Sequence, residues 1–286
     1  MKKLLILLFS ILISFSSYGE TKSHYYSNGQ IAGETNFKDG KKDGKWTGWW
    51  ESGKIKEEGN YKDGKEDGKY TYWYENGKIA KIFNYKDDKL DGMLTKWNEN
   101  GQKFWESYYK DGKEDGKLTL WHKNGQKDEE INYKDGKKNG KWTKWHENGQ
   151  KDEEINYKDG KENGKWTKWH ENGQIFSQIN YKGGKVDGKS FFWKKNGQKD
   201  EERNYKDGDL VNKTTFKYSY LTGQITVVSY KDGKKDGKWT KWYKNGEKKY
   251  EKNYKDGKKD GKWTEWDKNG QKTSEKYYKD DYPVKN

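Results

Sequence analysis

Tyr133-Lys134-Asp135-Gly136-Lys137-Lys138-Asn139-Gly140-Lys141-Trp142-Thr143-Lys144-Trp145-His146-Glu147-Asn148-Gly149-Gln150-Lys151-Asp152-Glu153-Glu154-Ile155-Asn156 is one complete copy of a unit that fills this chain. Its opening aromatic recurs at Phe37, Tyr61, Tyr85, Tyr109, Tyr133, Tyr157, Tyr181, Tyr205, Tyr230, Tyr254 and Tyr278, in nine steps of 24 residues and one of 25. A fixed period of this length marks a repeat array, in which each unit buries its apolar face only against its neighbours. Function is then expected on a long, patterned surface rather than in one pocket.

Asn148-Gly149 lies between two runs that contain β-formers, a strong hairpin signal because both residues tolerate positive φ. The dipeptide recurs at Asn28, Asn76, Asn100, Asn124, Asn172, Asn196, Asn245 and Asn269. The other connection carries two Asp/Asn-Gly dipeptides four residues apart, as at Asp39-Gly40 and Asp43-Gly44, which predicts a chain turned twice and sent back antiparallel. Frequent glycine and the absence of a 3.6-residue apolar period exclude helix. The expected fold is all-β: an elongated array of tandem β-hairpin repeats in a single-sheet meander. With strands ~4.8 Å apart, successive repeats should lie roughly 10 Å apart, ten of them making a twisted rod of about 100 Å.

Only 28% of the 286 residues are hydrophobic and 38% are charged, but 16 Trp, 23 Tyr and 9 Phe can bury large areas at fixed positions. Lys2 and Lys3, the apolar run Leu4 to Ile13 and the small residues to Gly19 read as a signal peptide cleaved after Gly19. Export to the periplasm, cell surface or medium follows, with no transmembrane segment left after cleavage. The expected divisions are 1–19 signal peptide, 20–36 a half repeat or cap, 37–205 regular repeats, 206–230 an irregular repeat, and 231–286 repeats with a C-terminal cap. In the irregular repeat Lys213 replaces the second glycine, tryptophan is lost and Thr222-Gly223 replaces Asn-Gly.

Two Trp three apart, as in Trp142 and Trp145, point to opposite faces of a strand. Trp73, Trp97, Trp121, Trp145, Trp169, Trp193, Trp242 and Trp266 are expected to form a structural column. Trp46, Trp142, Trp166, Trp239 and Trp263, close to the double-glycine bend, are the candidate open aromatics for binding. The formal net charge is +14, and nearly all the excess in the repeats falls in the double-glycine bends. Lys41, Lys42, Lys137, Lys138, Lys234, Lys235, Lys258 and Lys259 are therefore the candidate basic edge. Such an edge suits a protein or an anionic surface, whether lipid head group or acidic glycan. Export disfavours nucleic acid, and self-association is left open.

Catalytic chemistry has little support. The absence of cysteine excludes disulfides and thiolate sites. His122, His146 and His170 hold one place in consecutive repeats, but zinc ligands must lie within about 4 Å of one another, so no shared metal site is expected. They read as residues at a tolerant surface position. Carboxylate pairs such as Glu153 and Glu154 read as solvated, and no nucleophile–base pairing or phosphate-cradling loop occurs. No enzyme, metal or cofactor is expected.

The unit Gly-Lys-Trp-Thr-x-Trp-x-x-Asn-Gly-Gln-Lys, followed by Tyr-Lys-Asp-Gly-Lys-x-x-Gly, resembles the MORN-variant repeat of bacterial proteins, part of which is named the YwqK-type toxin–antitoxin antitoxin family. The resemblance covers residues from about 24 to 281. It implies a hairpin array used for binding, associated with membranes, protein assembly or host-cell interaction. An exported, non-enzymatic scaffold is the reading that follows. The alternatives are an antitoxin or immunity-like protein that occludes a toxin, and cell-wall glycan recognition of the choline-binding kind.

Overall fold

The computed structural model describes residues 19–285, so the proposed signal segment, apart from Gly19, lies outside the described residues. Every regular element among them is a β-strand, and the strands form one open antiparallel sheet of 28 in a meander. No helix among them is long and apolar enough to cross a membrane. Contacts divide the chain into two compact units: residues 19–103 with Tyr108–Lys113, and Phe104–Ser107 with residues 114–285.

In the second unit the quoted repeat shows how sequence sets each connection. Strands Lys127–Lys134 and Lys137–Trp145 meet at Asp135-Gly136, with φ of 50° and 77°, and Lys134 pairs with Lys137. Two central residues in the left-handed region make the tight turn whose twist matches the flanking strands. The second dipeptide does not turn the chain, contrary to expectation. Gly140, at φ 99°, pairs with Tyr157 inside the strand, and the register shifts between Ile131 and Tyr133 on the partner. It is a bulge, where Asn139, Gly140 and Lys141 face Asn132 alone and the two extra residues bend the strand without ending it.

The Asn-Gly connections also differ from the simplest hairpin. His146 N–H donates to the Gln150 carbonyl at 2.8 Å and Gly149 N–H to the His146 carbonyl at 2.9 Å. Gly149 has φ 81°, whereas no Asn among the described residues has a positive φ. This is a three-residue loop ending in a left-handed glycine. The Asn148 side-chain oxygen accepts from Gln150 N–H at 2.9 Å and closes a local ring.

Each repeat also reaches forward to the next. Asn124 and Asn148 donate from Nδ2 to the carbonyls of Glu147 and Glu171, at 2.7 and 3.1 Å. At the bends Gly160 N–H donates to the Lys138 carbonyl at 2.8 Å, and Asp135 N–H to Asp115 Oδ2 at 3.2 Å. The bend aspartates thus hold neighbouring bends together, so the lysines around them share a fixed framework.

One face carries the core. Leu118, Ile131 and Trp142 follow one another across the strands, then Ile155, and Ile131 and Ile155 are each 1% exposed. The first unit uses Tyr70 against Phe83, their rings stacked at 5.8 Å. Gly59 makes room there, because a Cβ at that place would fall 2.1 Å from the Tyr70 ring. The opposite face holds the buried threonines, including Thr119, Thr143, Thr167, Thr240 and Thr264.

Candidate functional site

The two tryptophan columns lie on opposite faces. Trp142 shares the Ile131 and Ile155 face, and Trp145 shares the Thr143 face by strand alternation. The candidate open aromatics Trp46, Trp142, Trp166, Trp239 and Trp263 are all half-buried. They occupy the strand position that Tyr70, Leu94 and Leu118 fill as buried core residues in other repeats. Their rings are engaged: Trp46 stacks on His24 at 5.7 Å, and Trp166 meets Tyr181 at 5.6 Å. Trp239, Tyr254, Trp263 and Tyr278 form a run with centroids 5.8, 5.4 and 4.8 Å apart. The indole of Trp142 donates to Glu129, and that of Trp263 to the Asn253 carbonyl at 2.9 Å. The Nε1 groups of Trp166 and Trp239 are buried without an acceptor.

The candidate basic edge splits into two structurally different halves. Lys42, Lys138, Lys235 and Lys259 lie over aromatic rings: Lys42 over Tyr61 at 4.6 Å, Lys138 over Tyr157 at 5.1 Å, Lys235 over Trp239 at 3.6 Å and Lys259 over Trp263 at 4.8 Å. Burial pushes the Lys235 ammonium below its ordinary pKa. The same place holds Glu66, Leu90, Glu114, Glu162 and Val186 in other repeats, all half-buried, whereas Lys42 and Leu210 there are exposed, so in most repeats it packs against the tyrosine whatever its charge. Lys41, Lys137, Lys234 and Lys258 are exposed and lie over no ring among the described residues, while of the first half only Lys42 is also exposed. Lys65, Lys89, Lys113, Lys161 and Lys185 repeat that exposed place, and Asp209 interrupts it.

The carboxylates expected to be solvated are clamped. Glu154 lies 2.8 Å from Lys141 and 2.6 Å from Lys151. Equivalent clamps hold Glu130, Glu202, Glu251 and Glu275. Glu153 is bound by Lys168 at 2.5 Å, with only 13% of its side chain exposed. Hydrogen bonds from Lys248 and Lys238, against burial, hold Glu251 below the usual carboxylate range, and those from Lys272 and Lys262 bring Glu275 to about 2. A carboxylate whose pKa is depressed by folding contributes stability above its unfolded value, and that contribution is lost as pH falls through the folded value. Urea midpoints should therefore change little from pH 7 to about 5 and fall steadily toward pH 2. Glu251→Gln should flatten part of that acid limb; an unchanged limb would show that the clamp contributes nothing.

The place of the histidines accepts Tyr74, Asn98, Lys194 and Asp267 as expected, but the three histidines are half-buried rather than on the surface. His122 Nε2 lies 2.9 Å from the Trp145 carbonyl and His170 Nε2 3.3 Å from that of Trp193. Tyr74 and Tyr243 make the same link with their hydroxyls, to Trp97 and Trp266. The shared chemistry of these four, a ring carrying an N–H or O–H donor, is the signal the sequence held, and Asn98, Lys194 and Asp267 break it. His146 departs from it: its Nε2 is buried without a hydrogen bond and lies 3.6 Å from Asp152. Among the described residues no group of three or more His, Cys, Asp or Glu could hold a metal ion.

The repeat chemistry has a known counterpart. The MORN repeat variant matches residues 21–39, 42–63, 66–87, 114–135, 138–159, 162–182, 235–256 and 259–280, more than half of the chain. The protein belongs to the MORN repeat variant family. No curated protein matches the sequence. Among solved structures the MORN-variant chain is similar to the crystal structure of TcdB2-TccC3-TEV, with 11% identity, a TM-score of 0.20, and coverage of 91% of this chain and 18% of that one. It is also similar to the crystal structure of TcdB2-TccC3 without its hypervariable C-terminal region, with 10% identity, a TM-score of 0.19, and coverage of 86% and 14%. The MORN-variant chain thus spans less than a fifth of either of these chains.

Proposed function

We propose that this MORN-variant protein is a non-enzymatic, exported scaffold that binds an anionic surface through the lysines of its tight bends. One observation carries the reading: in eight of the bends, as at Lys137, Lys161 and Lys185, the first lysine after the tight turn is exposed while its neighbour is half-buried. Backbone bonds between bends, such as Gly160 N–H to the Lys138 carbonyl, order these lysines at a fixed interval. Ordered cations lose less freedom on binding than cations on a flexible tail, so their attraction for an anionic lattice is used more fully. Export rests on Lys2, Lys3 and the apolar run that follows them.

The test is co-sedimentation of the mature chain with vesicles of neutral lipid, with vesicles containing an acidic lipid, and with an immobilised sulfated glycan. Binding to either anionic partner and not to neutral vesicles is expected, with loss at about 0.5 M salt, where exposed charges are screened within a few ångströms. The two anionic arms separate lipid from glycan. Salt-insensitive binding, or equal binding to neutral vesicles, would overturn the reading.

A further inference from the structure

The irregular repeat transposes bulk from one face of the sheet to the other. In its neighbour, core-side Trp239 is followed by Thr240 on the opposite face, and Glu251 pairs with that threonine. Counting back one 24-residue period, the three places hold Thr215, Phe216 and Val227. Thr215 pairs with Val228 on the core side, and Phe216 with Val227 on the other. Where other repeats place a lysine-clamped glutamate, this one has an apolar floor of Phe216, Tyr218, Ile225, Val227 and Trp242.

That floor lines a pocket of about 360 Å³, within the size range of small-molecule sites. An adjoining pocket of about 440 Å³ carries Lys244 and Lys268, with Tyr243 and Lys244 shared between the two. The stem of Lys244 crosses Gly223, where a Cβ would meet its Cγ at 2.6 Å. Glycine at that place therefore lets the lysine lie along the rim. Among the described residues neither Lys244 nor Lys268 is in an ion pair. An apolar floor beside two uncompensated ammonium groups has a definite complement.

We infer that the irregular repeat is a binding site for an anionic amphiphile, an acyl chain on the apolar floor with its carboxylate at Lys244 and Lys268. Chain burial supplies most of the affinity, and the ammonium groups choose the acid over the neutral form. The site is independent of the bend lysines and adds a small-molecule ligand to a protein proposed above as a surface binder.

The probe is dodecanoate below its micelle concentration, titrated calorimetrically into the mature chain. Saturable binding is expected, weakening about 4-fold for each methylene removed. Dodecanol should bind at least about 10-fold more weakly, as should dodecanoate to Lys244→Glu. Val227→Glu restores the residue that Glu251 and Glu275 represent elsewhere, so circular dichroism and the thermal midpoint should be retained while binding is lost. Lys137→Gln should leave dodecanoate affinity unchanged, which separates this site from the bend edge. Absence of saturable binding, equal affinity for dodecanol, or undiminished binding by a folded Val227→Glu chain would each overturn the assignment.

Discussion

Ile155→Ala is expected to lower unfolding free energy by about 2–4 kcal/mol, while Ile79→Ala should change it by no more than about 0.5 kcal/mol. Both are isoleucines in equivalent hairpins, yet Ile155 is 1% exposed and Ile79 is 38% exposed. Ile155 pairs across the strands with Trp142, and a shortened side chain leaves a void that the flanking indole cannot close without moving. The consequence in an array is larger than in a globule, since each repeat is supported only by its neighbours. Urea denaturation followed by tryptophan fluorescence should show the Ile155→Ala midpoint lowered, with the transition broadened or split as the array uncouples there. Equal effects of the two substitutions would mean that the face carrying Ile131, Ile155 and Trp142 is not the core.

Much of this architecture was legible in the residues because period and turn chemistry are local. The 24-residue recurrence and the Gly-rich bends were enough for an antiparallel meander. The role of each bend was harder. Asp135-Gly136 and Asn139-Gly140 are nearly identical as dipeptides, but only the first is a turn. The difference lies in strand register, set by the partner across the sheet and invisible to a reading along one chain. The same limit hid the forward links: His122 and Tyr74 look unrelated until a carbonyl 23 residues away is seen to accept from both. The lysine pairs were read as one cationic feature, since charge counting cannot tell a lysine facing water from one lying on a tyrosine. The variation of Lys138 with Glu114, Glu162 and Val186 at that place did hold the clue, because a position that accepts both charge signs and none is chosen for its stem.

The two lysines of each pair should therefore separate binding from stability when mutated in matched sets. The triple variant Lys137→Gln, Lys234→Gln, Lys258→Gln removes three exposed ammonium groups, each worth about 1 kcal/mol beside an anionic membrane surface. Affinity for acidic vesicles should fall about 100-fold, with the urea midpoint unchanged. The triple variant Lys138→Gln, Lys235→Gln, Lys259→Gln makes the same change in net charge one residue along. Those lysines sit 5.1, 3.6 and 4.8 Å over Tyr157, Trp239 and Trp263, contacts worth about 0.5–1 kcal/mol each. This second variant should lose stability and keep most of its vesicle binding, because its ammonium groups were already spent on the rings beneath them. Equal loss of binding in both variants would mean that the vesicle responds to total charge alone. Ordering of the exposed lysines by the bend framework would then have no part in recognition, and the scaffold reading would fail with it.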